Sequence, residues 1–205
     1  NKLKIIITII TLILCFKASA TDYNPYEESN VKTKTTLYTG TVLKEKDQNK
    51  LFAYFGIPYA LPPIDKLRWK APRDIGSPLK VRQATTRPNR CPQLAGTIDS
   101  IEEGFNVGEI IGNEDCLYLN IFISEKAKKS KKKLPVMVWI HGGSNVSGHG
   151  ADVRYTDGDF ALDHQIILVT INYRLGPFGW FYNSAINKNA NNPLDASGNY
   201  GTLDI

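Results

Sequence analysis

The residue types best suited to chemistry stand where an apolar run, Val136-Met137-Val138-Trp139-Ile140, stops abruptly at His141-Gly142-Gly143-Ser144. A buried strand ending this way leaves backbone without bulky side chains at the carboxyl edge of a sheet, where open α/β sheets place ligands. Two N–H groups turned outward there and aimed at one point would stabilise the oxyanion of an acyl-transfer intermediate, and losing one such donor costs about 100- to 1000-fold in rate. Glycine suits these positions because a Cβ would block an approaching substrate and because glycine reaches positive φ without strain. The same tripeptide also serves as a plain tight turn at a strand end, so taken alone it decides nothing.

The elements around it are those of an α/β fold. Leu134 to Ile140 and Ile166-Ile167-Leu168-Val169-Thr170-Ile171-Asn172-Tyr173 are continuous apolar runs, which predict strands covered on both faces. Asp157 to His164 between them has the pattern of a short helix, a spacing that suits a crossover joining parallel strands. Leu117 to Ile123 is a further strand, and Leu37–Leu43 with Leu51–Phe55 reads as a hairpin-like pair. Residues 57–92 carry seven prolines and predict an ordered, irregular covering. A large mixed, mostly parallel sheet fits best. There is no internal repeat.

The first twenty residues are predicted to be a secretory signal peptide. Lys2 and Lys4 precede the apolar stretch Ile5–Phe16, and Ala18-Ser19-Ala20 supplies small residues at cleavage spacing. The stretch is too short to cross a bilayer, which needs about 20 apolar residues, so no membrane span is expected. Leu14 is bulkier than the small residue that usually precedes a lipidated cysteine, which argues against lipid attachment at Cys15. Cleavage after Ala20 leaves Cys91 and Cys116, an even number in an oxidising compartment, and they are expected to pair rather than remain free thiols. The formal charge of +5 falls to +2 without Lys2, Lys4 and Lys17, and setting aside six lysines within Glu125–Lys133 leaves 16 basic against 20 acidic residues. The basic balance is therefore no sign of nucleic-acid binding, and the lysine run reads as a solvated loop.

Taken in order, Phe55-Gly56-Ile57-Pro58-Tyr59-Ala60, Pro62-Pro63, Leu67-Arg68-Trp69, Glu114-Asp115-Cys116-Leu117-Tyr118-Leu119-Asn120, Val138-Trp139-Ile140-His141-Gly142-Gly143, Asn172-Tyr173-Arg174-Leu175-Gly176 and Gly198-Asn199-Tyr200-Gly201-Thr202-Leu203-Asp204 resemble the type-B carboxylesterase family of α/β-hydrolases, which includes the cholinesterases. The resemblance runs from about residue 37 to the last residue. It implies that residues 21–205 are the N-terminal part, roughly two fifths, of such a domain. It further implies that Gly143 and Ser144 supply two oxyanion-hole amides with Gly142 shaping the turn, and that no metal or cofactor takes part. The family's catalytic serine sits in a Gly-x-Ser-x-Gly elbow, and nothing here fits: Gly142-Gly143-Ser144-Asn145-Val146 has Val146 where glycine is required, and Ser147 and Ser197 lack the flanking glycines two residues to either side. The third amide donor, the nucleophile and its acid and histidine partners are expected beyond Ile205, so this stretch alone should be inactive. His141, His149 and His164 precede the family's serine and are poor triad candidates; His141 is expected to pack or hydrogen-bond. By the same resemblance Cys91 and Cys116 match the first disulfide, Arg68 should pair with Glu114, and Arg174 with Asp204, as buried framework.

Two departures bear on substrate. Asn145 stands where the family commonly has an aromatic residue, leaving the wall of the acyl pocket undefined. Cholinesterases stack the choline cation on a tryptophan of the first disulfide loop, whereas residues 92–115 hold Phe105 as their only aromatic residue, which argues against choline esters. Asn145-Val146-Ser147 fits an N-glycosylation acceptor, but a glycan there would obstruct the amides.

The resulting expectation is an exported serine esterase, periplasmic or secreted, that cleaves small-molecule or lipid esters through an acyl-enzyme. The competing readings are an inactive binding module of the same fold, as in the neuroligin-like branch, and a truncated product that would leave sheet surface uncovered and aggregate.

Overall fold

The computed structural model describes residues 27–76, 81–130, 132–188 and 190–205; the expected signal peptide lies outside them. In chain order the strands are β1 (Asn30–Lys32), β2 (Leu37–Thr39), β3 (Thr41–Lys46), β4 (Asn49–Pro58), β5 (Val81–Gln83), β6 (Gln93–Leu94), β7 (Ile110–Ile111), β8 (Tyr118–Ser124), β9 (Val136–Ile140) and β10 (Ile167–Ile171). The helical segments are α1 (Thr97–Glu103), α2 (Glu125–Lys129), α3 (Val153–Thr156), α4 (Asp159–His164), α5 (Gly176–Gly179), α6 (Ser184–Asn187) and α7 (Tyr200–Asp204).

A five-stranded mixed sheet in the order β3-β4-β8-β10-β9 carries the architecture. β9 and β10 run parallel, with Val136 opposite Ile167 and Ile140 opposite Ile171, joined through a connection that contains α4. The other three pairings, β3–β4, β4–β8 and β8–β10, are antiparallel. The predicted hairpin divides at Gly40. Leu37–Thr39 leaves to pair with β1 and β5 in a separate three-stranded sheet, and Thr41–Lys46 pairs with β4 across a two-residue turn. Both turn residues, Asp47 and Gln48, take positive φ, the geometry that matches the twist of a tight hairpin.

β4 alternates as a strand covered on both faces must. Leu51, Ala53 and Phe55 meet Phe122, Leu168 and the α4 residues Ala161 and Leu162 on one face, while Phe52 and Tyr54 pack with Ala84 on the other. β9 does not match the expectation of a strand covered on both sides: Val136 through Ile140 are 41–59% exposed. The physical reason is its place in the sheet. Among the described residues it is the outermost strand, bonded on one edge to β10 alone, and α4 packs over β4, β8 and β10 instead. Beyond Pro58, where β4 ends, the described residues up to 92 form irregular covering apart from a 3-10 turn at Asp65–Leu67 and the short β5. A third cluster, Cys91, Cys116, Leu117, Tyr173 and Leu175, closes the end of the sheet that holds the His141 turn.

Candidate active site

β10 and its continuation hold the turn that follows β9. The buried Thr170 donates from Oγ1 to the Gly150 carbonyl at 2.5 Å, and Asn172 Oδ1 accepts from the Gly150 amide at 2.7 Å. Tyr173 donates its hydroxyl to the His141 carbonyl at 2.8 Å and stacks on the His141 ring, with centroids 4.4 Å apart. From the disulfide loop, Gln93 accepts from the Gly148 amide at 2.7 Å and donates to the Gly148 carbonyl at 2.9 Å. The Gly176 amide donates to the Asn145 carbonyl at 2.7 Å. The turn is thus fixed from three directions before any ligand arrives.

Within it, the Gly143 carbonyl accepts from the amides of Val146 (3.0 Å) and Ser147 (3.1 Å), coiling residues 143–147 back on themselves. Among the described residues the Gly143 and Ser144 amides have no backbone or side-chain acceptor. Gly143 (φ +119°), Ser144 (+55°) and Asn145 (+61°) are successive positive-φ positions, two of them without glycine's freedom. Gly142 is not among them, and a Cβ added there would meet nothing within 4 Å, so the turn's backbone demand begins one residue later than the expected turn residue. A Cβ at Gly143 would stand 2.0 Å from the Ser147 carbonyl oxygen.

A cleft of about 710 Å³ opens beside the turn, lined by Gly142 and Gly143, by Leu94 and Ile98 of the disulfide loop, and by Arg154 and Tyr155. Ser144 is exposed and lies outside its lining. A second cleft, of about 530 Å³, shares His149 and Asp152 with the first and contains Arg90 and Phe105. The Arg90 guanidinium pairs with Asp99 (2.5 Å) and Glu103 and lies 5.7 Å over the Phe105 ring. The one aromatic face of the disulfide loop is therefore already met by a cation of the protein itself.

Asp152 accepts from the Arg154 amide at 2.9 Å at the start of α3 and also holds the Arg154 side chain. Burial pushes its carboxyl up, but the Arg154 hydrogen bonds outweigh it and hold it below the usual carboxylate range. His141 Nδ1 bonds to the Gly142 carbonyl at 2.8 Å, Nε2 is buried with no partner among the described residues, and burial lowers the ring's pKa. His149 is lowered further, to about 4, by burial and then by Arg90. A histidine whose folded pKa lies below its unfolded value of about 6.5 binds its proton more readily when the chain unfolds. Stability from this group is complete above pH 6.5 and lost as pH falls towards 4, by on the order of 3 kcal/mol. Urea midpoints measured between pH 7 and 4 should fall less for His149→Gln than for the wild type; equal slopes would refute this role.

The framework residues are placed as follows. Cys91 and Cys116 form a disulfide with Cα atoms 5.0 Å apart, closing the loop that borders both clefts. Arg174 Nε and Nη2 donate to the two oxygens of Asp204, each at 2.7 Å, with both residues buried. Arg68 donates to Glu114 through Nε at 2.6 Å and through Nη2, but its side chain is 40% exposed, so this pair sits at the surface rather than in the buried framework. The surroundings of Arg90 and His149 and a further ion pair, between the part-exposed Arg73 and the buried Asp195, carried no sequence signal, because they depend on neighbours brought in by folding. Asp152 and Arg154 meet locally, and Asp152 is of a residue type that caps helices.

The carboxylesterase family model matches residues 27–205. The para-nitrobenzyl esterase of Bacillus subtilis (strain 168) is 37% identical over 163 residues, covering 79% of this chain and 30% of that protein. The acetylcholinesterase of Electrophorus electricus is 34% identical over 182 residues, covering 86% and 27%. Among solved structures, a thermophilic PNB esterase superposes with a TM-score of 0.69 at 34% identity, covering 86% of this chain and 33% of that one. The chain thus spans about a third or less of the length of these relatives.

Proposed function

The chain belongs to the carboxylesterase family and has its α/β-hydrolase fold, and from that premise we propose that it is the oxyanion-hole portion of an exported serine esterase acting on small-molecule or lipid carboxylic esters through an acyl-enzyme. The observation that carries this reading is the fixed turn at the end of β9, whose Gly143 and Ser144 amides find no acceptor among the described residues. As a nucleophile adds to the ester carbon, the carbonyl oxygen becomes an anion. Two N–H groups held in advance stabilise that charge without reorganising, and they do so more strongly for the anion than for the starting ester. The alcohol then leaves, and a water activated by a histidine releases the acid. In this proposal the serine, acid and histidine come from chain beyond Ile205, and residues 1–20 direct export.

Hydrolysis of p-nitrophenyl butyrate by the native product, together with covalent labelling by a fluorophosphonate, tests the reading. Turnover with labelling of one serine is the expected result. Binding of the ester without turnover or labelling would instead support the inactive binding module. Because Arg90 lies against Phe105, butyrylthiocholine is expected to be no better a substrate than an uncharged thioester of similar size, measured as kcat/KM.

A further inference from the structure

Within residues 126–133, Lys126, Lys128, Lys129, Lys132 and Lys133 take no part in the site described above. β8 ends at Ser124 and β9 begins at Val136, so this segment lies at the amino-terminal end of β9, while the Gly143 turn follows its carboxyl end. About 16 Å of strand separates the two. Lys128 turns inward: its Nζ lies 4.9 Å over the Phe52 ring and donates to the carbonyl oxygens of Glu28 and Asn30 (3.0 Å to Asn30), tying down the start of β1 and the residues just before it. Lys126, Lys129, Lys132 and Lys133 are exposed, and Glu125, directly before the segment, pairs with Lys129. Their ammonium groups stay in water whatever else covers the sheet, because burying a charge without a partner is prohibitive.

We propose that this end of the molecule docks on anionic phospholipid bilayers, with the oxyanion turn facing away from the lipid. The composition of the patch selects that partner. It contains no arginine, whose planar fork recognises individual phosphates or sulfates in pairs, and no exposed aromatic ring on which a base could stack. The clefts described above lie at the opposite end and give a linear polyanion no groove here. Lys126, Lys132 and Lys133, with Lys129 beside its partner Glu125, are point charges suited to a smeared surface charge, where each contributes through the field rather than through a fixed contact. Docking of this kind weakens as salt screens the surface. It is independent of the ester-hydrolase reading, since it needs no turnover.

Co-flotation of the native product with vesicles tests it. Binding is expected to vesicles containing about one third phosphatidylglycerol at low salt, to be at least tenfold weaker on pure phosphatidylcholine, and to be lost at high salt. The variant Lys126→Gln/Lys129→Gln/Lys132→Gln/Lys133→Gln should bind at least tenfold more weakly. Lys32→Gln/Lys34→Gln/Lys66→Gln/Lys188→Gln, which removes the same net charge from exposed lysines elsewhere, should bind as the wild type does. Equal loss in both variants would reduce the effect to net charge and overturn the proposal. So would wild-type binding to heparin or nucleic acid with none to anionic vesicles. Circular dichroism confirms that each variant is folded, and ester turnover by the first variant is expected to be unchanged.

Discussion

Gly143→Ala in the native product is expected to lower kcat for p-nitrophenyl butyrate by about 100- to 1000-fold, the loss that follows removal of one oxyanion donor. The substituted residue keeps its amide, so the loss arises from displacement. With φ at +119° and a Cβ 2.0 Å from the Ser147 carbonyl oxygen, an alanine cannot occupy the present backbone. The turn must uncoil, carrying the Gly143 and Ser144 amides off the point where the oxyanion forms. Because the donors act on the transition state, kcat should fall far more than KM rises. Two companions separate this from general damage. Ser144→Gly keeps the amide and relieves a left-handed backbone, so it should retain most of the activity and gain about 1 kcal/mol or less in stability. Gly142→Ala meets nothing within 4 Å and should leave the unfolding midpoint in place. A Gly143→Ala enzyme with wild-type kcat would remove these amides from the mechanism.

The turn's reading as an oxyanion hole came from the resemblance and not from the tripeptide, whereas a turn at this point was legible because its signal is local, an apolar strand followed by paired glycines. The same holds for the β9–β10 crossover, where two apolar runs and a helix-forming interval already imply parallel pairing. What was not legible depends on partners far along the chain. Nothing in the sequence around Leu37–Leu43 says that the segment divides at Gly40 between two sheets, since either half alternates acceptably and the division follows from which neighbour each half finds. Arg90 shows the same limit within the site. Beside Pro88 and Cys91 it reads as an ordinary loop arginine, yet folding brings Asp99, Glu103 and Phe105 around it and so decides the character of a cleft. β9 errs in the opposite direction. Its composition belongs to a strand covered on both faces, and in the described residues it is an exposed edge. Composition reports the surroundings that a strand is suited to, and the sheet order alone reports which of them are present.

The two arginine–carboxylate pairs give the second large prediction, because one geometry occurs in two environments. Both arginines make two hydrogen bonds to their partner. Arg174 and Asp204 are buried, and Arg174 also donates through Nη1 to the Lys70 carbonyl at 2.8 Å while its backbone amide donates to Asp204 at 3.0 Å. Removing either charge strands the other away from water, so Arg174→Ala or Asp204→Ala should cost about 3 to 5 kcal/mol in urea unfolding. Arg174→Met/Asp204→Leu removes both charges at once and should cost clearly less than the sum of the single substitutions, because the stranded charge is what makes each single change expensive. Arg68 is 40% exposed, and water re-solvates Glu114 when it is lost, so Arg68→Ala should cost no more than about 1 kcal/mol. Equal losses for Arg68→Ala and Arg174→Ala would mean that burial does not set the strength of these pairs. A large loss at Arg174 alone would make it, through Asp204 in α7 and the Lys70 carbonyl, the residue that locks the segment after β10 to the irregular covering and to α7. That segment includes Tyr173, which holds the His141 carbonyl, and Gly176, which holds the Asn145 carbonyl, so a loosened Arg174 would reach the oxyanion turn without touching it.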